Sequence, residues 1–152
     1  SEHPLAGIYY QREIEHTAYL LAGGDYRAPA QLVGDFLAGK ESKELGSVNP
    51  TCPTGVTLTN LDECLPQKVS ATMKSAIVEM DKKLNGFNMY DAVLTAPETR
   101  SSSSVRILRD EFCQCNISGV YPCGEGAGYA GGIVSAAVDG IKCAHAVLSD
   151  EH

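Results

Sequence analysis

The chain has 152 residues, a net charge of −7 and a hydrophobic fraction of 43%. This length suits one domain or part of a larger protein, and the composition is that of a globular chain rather than a disordered one. The acidic balance offers no basic surface for nucleic acid or an anionic membrane, and no apolar run approaches the roughly 18 to 20 residues of a membrane-spanning helix. We therefore expect a cytoplasmic protein without nucleic-acid or membrane partners.

The six cysteines and four histidines form no metal-binding pattern. Cys113 and Cys115 are separated by one residue, and no second Cys pair or HxxxH follows at the spacing that zinc requires. Since nothing else marks a secreted protein, reduced thiols are favoured over three disulfides. We expect no metal site.

The first part of the chain reads as helix and loop. An amphipathic helix is predicted over 8–22, and Gly23 and Gly24 end it. A loop follows, with Pro29 as a breaker, and residues 38–60 are rich in Gly, Ser, Thr, Asn and Pro, which is typical of a long irregular connection. The clearest helical periodicity comes next, over 61–84, where Pro66 suits the first turn.

After Tyr90 the apolar pattern changes to short runs that are typical of strands. We predict strands over 91–96, 105–108 and 119–123, and a closing helix over 133–148. The predicted fold class is mixed α/β, of the α+β kind.

The stretch GVYPCGEGAGYAGGIVSAAVDG, residues 119–140, contains seven glycines. A strand, a glycine-rich loop and a helix together favour a phosphate or dinucleotide, because the first N–H groups of a helix lack partners within it and carry partial positive charge. Gly126, Gly128 and Gly131 match the spelling GxGxxG, but no strand with an acidic residue about 20 positions further on follows. The stretch is therefore not predicted to be a primary dinucleotide site, and a glycine-rich turn that serves only packing is the alternative.

Glu125 directly follows Gly124, where the predicted helix axis would begin. A carboxylate in this place accepts hydrogen bonds from sugar or ribityl hydroxyls, whereas it repels a bare phosphate. In the alternative interpretation the backbone N–H groups at the helix N-terminus satisfy it. The residues alone leave both interpretations open.

The stretch from 119 to 142 resembles the C-terminal part of the bacterial, uncharacterised FAD-dependent dehydrogenases, within the glutathione-reductase-like group of flavoproteins. Four further segments are similar to that family in the same order: APAQLVGDFLAG, GVTLTNLDECLP, DAVLTAPETRSSSSVRI and LRDEF. The resemblance implies a parent flavoprotein that transfers hydride through flavin N5 to or from an unknown small molecule, with NADH or NADPH as a candidate reductant.

The resemblance also implies how the chain is organised. Residues 1–91 would be a mainly helical piece of a substrate-side insert, and residues 92–152 the returning strands and closing helix of a Rossmann-like FAD-binding domain. The chain would then hold half of the flavin site and be inactive alone. Its expected partners are the missing N-terminal FAD-binding half and, to cover exposed apolar surface, a second copy of itself.

By the same resemblance, Glu125 would hold a ribityl hydroxyl, and the loop backbone would face the pyrophosphate or the flavin. The residues expected to contact the cofactor are Gly124, Glu125, Gly126, Ala127, Gly128, Tyr129, Gly131, Gly132 and Ile133. Arg100 is a candidate for binding an anionic substrate or the cofactor through its planar fork. The alternative for Arg100, and for the nearby Arg106 and Arg109, is a salt bridge with Glu98 or Asp110. No catalytic residue is assigned.

Cys123 stands where small alanine is frequent in the family, and we predict a small buried residue rather than a redox thiol. Ser104 stands where proline is frequent in the family, so the resemblance does not define the shape of the turn over 101–104. The absence of a CxxC motif gives no support to a disulfide relay. The rival hypothesis is a self-contained domain that binds a phosphate ligand or a protein partner without catalysis; a strand partner for 119–123 within the chain would favour it.

Overall fold

The computed structural model describes residues 3–100 and 102–150. Its regular elements are, in chain order, α1 (Ala6–Leu21), β1 (Ala28–Leu32), α2 (Val33–Ala38), β2 (Val56–Leu58), a 3₁₀ turn (Leu61–Glu63), α3 (Gln67–Asp81), β3 (Val93–Thr95) and α4 (Ile133–Asp150). The helices and the three-stranded mixed sheet confirm the predicted α+β class. The chain divides into two compact units, which we call the sheet unit, residues 12–99, and the glycine-loop unit, the described residues of 1–11 and 100–152.

The sheet unit is built on the strand order β2-β1-β3, with β1 parallel to β2 and antiparallel to β3. Pro29 was predicted to interrupt regular secondary structure, yet it lies inside the central strand β1. It fits because it faces the end of the β1–β3 ladder: Ala96, one residue beyond β3, donates its N–H to the Pro29 carbonyl at 3.1 Å. Proline has no N–H to return, so the ladder ends there at no further cost.

The core of the sheet unit lies where the helices pack on the sheet. Its buried residues are Ala18, Val33, Phe36, Leu61, Cys64 and Ile77. Gln31 of β1 is also fully buried. Its Nε2 donates to the Lys40 carbonyl at 2.6 Å, and its Oε1 accepts from the Leu61 N–H at 2.8 Å. One side chain thus satisfies the backbone N–H of the buried Leu61 and also bonds to the carbonyl just after the end of α2.

The predicted helices are present with small shifts of their ends. The helix expected over 8–22 is α1, the one over 61–84 is the 3₁₀ turn followed by α3, and the one over 133–148 is α4. The strand expected over 91–96 contains β3. The strand β2 was not predicted, and it lies inside the segment that the composition marked as irregular.

The glycine-loop unit corrects two predictions. Residues 105–108 and 119–123 were predicted as strands, and neither is a strand; the three strands of the described chain all belong to the sheet unit. The backbone groups of this unit bond instead between loops: the Ile107 N–H donates to the Ala127 carbonyl at 3.1 Å, and the Cys115 N–H to the Val120 carbonyl at 2.9 Å. An apolar run becomes a strand only when a neighbouring strand takes its backbone bonds.

Candidate functional site: the glycine loop and the start of α4

The segment 124–132, which we call the glycine loop, leads directly into α4. Gly124 and Gly128 have φ values of +67° and +82°, which residues other than glycine rarely adopt. A Cβ on Gly128 would lie 2.6 Å from the Val105 carbonyl oxygen and 2.9 Å from the Arg106 Cα. The loop is therefore packed against the backbone of 105–106 at a point where only glycine fits.

Two backbone hydrogen bonds close a tight turn at the beginning of the glycine loop. The Gly128 N–H donates to the Glu125 carbonyl and the Tyr129 N–H donates to the Gly124 carbonyl, both at 3.0 Å. The Glu125 side chain is half-buried, and its carboxylate makes no hydrogen bond or ion pair within the part of the chain that the structure describes. A carboxylate in this position offers its lone pairs to hydroxyl or N–H donors.

The rest of the glycine loop presents bare backbone. Gly126, Gly131 and Gly132 are exposed, and a Cβ on Gly126 would meet nothing within 4 Å. The first helical bond of α4 runs from the Ala136 N–H to the Gly132 carbonyl at 2.8 Å. The N–H groups of 133–135 therefore precede the helical ladder and carry the partial positive charge of the helix dipole.

An open groove continues from the glycine loop along α4. Its lining includes Tyr129, Gly132, Ile133, Val138, Asp139 and Lys142. Ile133 is 92% exposed and Val134 76% exposed. The groove thus combines apolar side chains, an aromatic ring and one lysine beside exposed helix N–H groups, which suits a large ligand with both ring and anionic parts.

An ion pair holds the backbone just before the glycine loop. Arg109 Nη2 lies 2.6 Å from Asp139 Oδ1, and Arg109 Nη1 lies 2.9 Å from Asp139 Oδ2. The same Nη1 donates to the Pro122 carbonyl at 2.7 Å and to Cys143 Sγ at 3.1 Å. Asp139 Oδ2 in turn accepts the Gly124 N–H at 2.8 Å. This bidentate pair is 11% exposed on the arginine side and 14% on the aspartate side.

The contacts of this pair shift three pKa values. The Arg109 hydrogen bonds, aided by the Gly124 N–H, lower the pKa of Asp139 to about 2. The hydrogen bond to Asp139 raises the pKa of Arg109 above its usual value. Burial raises the pKa of the Cys143 thiol. The pair is therefore fully ionised, and Cys143 a neutral thiol, at physiological pH.

Tyr129 connects the glycine loop to the arginines. Its hydroxyl donates to the Ile107 carbonyl at 3.0 Å, and its ring centroid lies 3.6 Å from the Arg109 guanidinium carbon. The guanidinium of Arg106 is 5.0 Å from the same centroid, and its Nε donates to the Gly128 carbonyl at 2.9 Å. Cation–π and hydrogen-bond contacts thus hold the C-terminal end of the turn, at Gly128 and Tyr129.

The sequence analysis singled out Arg109 and the glycine loop but did not predict which side chains they contact. The salt bridge considered for Arg109 exists, but its partner is Asp139 rather than Glu98 or Asp110. Asp139 was missed, although an acid within the apolar and small-residue first half of α4 was a usable signal. Arg100 is exposed, and the role expected for it stays a prediction.

Cys123 was predicted to be buried, and this prediction was wrong. Its side chain is exposed, and the buried thiol of this region is Cys143. The side chains that hold the backbone on either side of Cys123 come from elsewhere: Arg109 donates to the Pro122 carbonyl, and Asp139 accepts the Gly124 N–H.

Comparison with known proteins identifies the family. Residues 1–101 match the family described as FAD-dependent protein, C-terminal domain-like, and the chain belongs to that family. This match covers the sheet unit, and the glycine loop follows it in the chain.

A curated relative extends the similarity over nearly the whole chain. An uncharacterized protein of Clostridium beijerinckii is 48% identical over 146 residues, which is 95% of this chain and 27% of the relative. The chain thus spans about a quarter of the length of the relative that it matches. Among the helices of the described residues, none is long and apolar enough to cross a membrane.

Proposed function

We propose that the chain is the C-terminal part of an FAD-dependent oxidoreductase of the glutathione-reductase-like group, and that it supplies part of the flavin site. The observation that carries this proposal is the glycine loop, which offers bare backbone and the uncommitted Glu125 carboxylate. Its occurrence in a chain of an FAD-dependent family supports FAD over other ligands with phosphate and hydroxyl groups.

The residues present fit this cofactor. Glu125 accepts a hydrogen bond from a ribityl hydroxyl, and the exposed backbone of Gly126, Gly131 and Gly132 allows a flat ligand to approach closely. The N–H groups at the start of α4 favour negative charge, whether on the pyrophosphate or on the pyrimidine edge of the flavin. Ala127 and Tyr129 hold the loop through hydrogen bonds with the backbone of Ile107, and the exposed Ile133 side chain lines the groove. When bound, FAD would supply the hydride-transfer chemistry through its N5.

The remaining parts of the proposal concern the whole flavoprotein. Residues 1–91 belong to a substrate-side insert, and residues 92–152 return to the FAD-binding domain. Arg100 binds an anionic group of the substrate or cofactor, and NADH or NADPH supplies the electrons. The substrate is a small molecule that no residue of this chain identifies.

The rest of the flavoprotein is the expected partner of α4. Val134, Val138, Ile141 and Leu148 recur along one face of this helix, and each is at least 47% exposed. Soluble proteins seldom leave such a stripe uncovered. Because the relative is nearly four times as long as the matched region, residues outside this chain are available to cover the stripe. Association of two copies is the alternative cover.

The test uses the full-length product of the gene that encodes this chain. Purified protein is expected to carry flavin absorption in the visible range and to release FAD on denaturation. Anaerobic mixing with NADH, and separately with NADPH, is expected to bleach that absorption with at least one of them. Protein that is folded, carries no flavin and takes up none would contradict the proposal and favour a phosphate-binding or protein-binding domain instead.

A further inference from the structure

We propose that Asp139 and Arg109 are positioning residues of the cofactor site, which clamp the backbone on both sides of Cys123 and so present Glu125 to the ligand. This inference rests on the proposed function, because it assigns to the pair the task of orienting a cofactor-binding carboxylate. It adds two residues that do not belong to the glycine motif itself.

The clamp acts on two successive backbone groups. Asp139 accepts the Gly124 N–H at 2.8 Å, and Arg109 donates to the Pro122 carbonyl at 2.7 Å. The two bonds flank Cys123, so the peptide groups before and after it cannot rotate while both are made. Gly124, at φ +67°, then turns the chain into Glu125. The direction in which the Glu125 side chain leaves the backbone is therefore set by the clamp.

The same pair reaches the far end of the turn. The Tyr129 N–H bonds to the Gly124 carbonyl, and the Tyr129 ring lies on the Arg109 guanidinium. Residues 124 and 129 are thereby tied to the Arg109–Asp139 pair, and Glu125 lies between them in the chain. Neither end of the turn can shift without breaking a contact of Arg109 or Asp139.

Asp139 works through Gly124 rather than as a ligand of the cofactor. It lines the groove, but both of its carboxylate oxygens are already engaged, Oδ1 by Arg109 and Oδ2 by Arg109 and the Gly124 N–H. A well-packed apolar pair often stabilises a fold as well as a buried ion pair does. An apolar pair would, however, leave the Gly124 N–H without this acceptor and the Pro122 carbonyl with only a long contact to Cys143 Sγ at 3.9 Å, so backbone recognition explains why charged residues stand here.

The test compares Asp139→Ala, Asp139→Asn and Arg109→Lys in the full-length flavoprotein. The matched control is Glu111→Gln, which removes the charge of an exposed carboxylate in the same unit. In apoprotein, hydrogen exchange at Gly124 is expected to rise at least about tenfold for Asp139→Ala, because its charged acceptor is lost. Asp139→Asn keeps one acceptor oxygen and should show a smaller rise, and the control should show none.

The second readout is FAD affinity, measured for each variant with Glu125 intact and in a Glu125→Ala background. Asp139→Ala is expected to weaken FAD binding about tenfold to hundredfold when Glu125 is present. In a Glu125→Ala background the same change should weaken it clearly less, because the group that the clamp orients is gone. A merely structural role predicts equal losses in both backgrounds.

Two results overturn the inference: unchanged Gly124 exchange in Asp139→Ala, or an affinity loss that is the same with and without Glu125. If Asp139→Ala does not fold, Arg109→Lys and Asp139→Asn give the same two readouts. If the full-length wild-type protein binds no FAD, the proposed function and the cofactor role of the pair are overturned together. The exchange experiment would then still decide whether the pair holds the backbone, so the two failures are distinguishable.

Discussion

Single glycines of the glycine loop have different tasks, although all of them look alike in the sequence. Gly128 combines a positive φ with close backbone neighbours, whereas Gly126 has neither. The fold of the loop requires glycine at position 128, whereas nothing within the loop requires it at position 126. The same substitution at the two positions should therefore have different effects on stability.

Gly128→Ala is expected to lower the free energy of unfolding by about 1–3 kcal/mol or more, because the new Cβ is strained in φ and meets the Val105 carbonyl. Gly126→Ala should change it by less than about 0.5 kcal/mol. Urea denaturation of both variants measures the difference. Equal stability of the two variants would show that the loop does not pack against 105–106.

The Arg109–Asp139 pair predicts a particular acid dependence. Asp139 has its pKa lowered from 3.8 to about 2 by Arg109 and the Gly124 N–H, with a smaller contribution from Lys142. A lowered pKa means that the stabilisation is fully present above pH 3.8 and is lost as the pH falls towards 2.

Wild-type protein and Asp139→Asn should therefore differ in stability by a constant amount from about pH 8 to about pH 5, and the difference should shrink below about pH 4. Thermal unfolding at a series of pH values measures it, and Glu111→Gln serves as the control for a lost surface charge. A difference that persists undiminished at the acid end would show that the carboxylate of Asp139 is not the group responsible.

At the scale of elements, helices were easier to predict than strands. The periodicity behind α1, α3 and α4 lies in contiguous residues, so the sequence contains it locally. A strand depends on a partner that is distant in the chain. The three-residue strand β2 exists because β1 lies beside it, and 119–123 is not a strand because the described chain offers it no partner.

The central strand β1 supports a prediction through its buried glutamine. Gln31→Met keeps the volume but leaves the Lys40 carbonyl and the Leu61 N–H without partners. We expect a loss of about 1–3 kcal/mol for each unsatisfied group. Gln67→Met, at the exposed start of α3, is the control and should be nearly neutral. Urea denaturation that gives the same midpoint for both variants would contradict the role assigned to Gln31.

In the candidate site, too, local patterns were predictable from the sequence and contacts between distant residues were not. The glycines and Glu125 lie close together in the chain, so their pattern is recognisable from the sequence alone. Arg109 and Asp139 are 30 positions apart and meet only in the folded chain. The sequence suggested that Arg109 had a carboxylate partner but offered only its neighbours as candidates.

At the scale of the whole molecule, the exposed face of α4 is the main unexplained surface. Ile141 is 59% exposed in this chain, and Val78 of α3 is 44% exposed. If the rest of the flavoprotein covers α4, Ile141→Ser in full-length protein should cost about 1.5–3 kcal/mol, the value of a buried aliphatic side chain. Val78→Ser, the control, should cost much less.

Thermal unfolding of the full-length variants provides this comparison, and sedimentation velocity shows whether copies associate. A monomer in which Ile141→Ser is as mild as Val78→Ser would show that α4 remains uncovered. A dimer that dissociates on Ile141→Ser would assign the face to a second copy instead of to the rest of the chain.

The proposed role of this chain, to supply part of an FAD site through Glu125 and the glycine loop, can be measured by titration with FAD. Flavin fluorescence follows the titration of full-length wild-type protein, of Glu125→Ala and of the control Glu111→Gln. We predict saturable binding by wild type and control, and binding weakened about tenfold or more by Glu125→Ala. Equal binding by all three proteins would place the flavin away from this loop, and no binding by folded wild type would show that the loop serves another ligand.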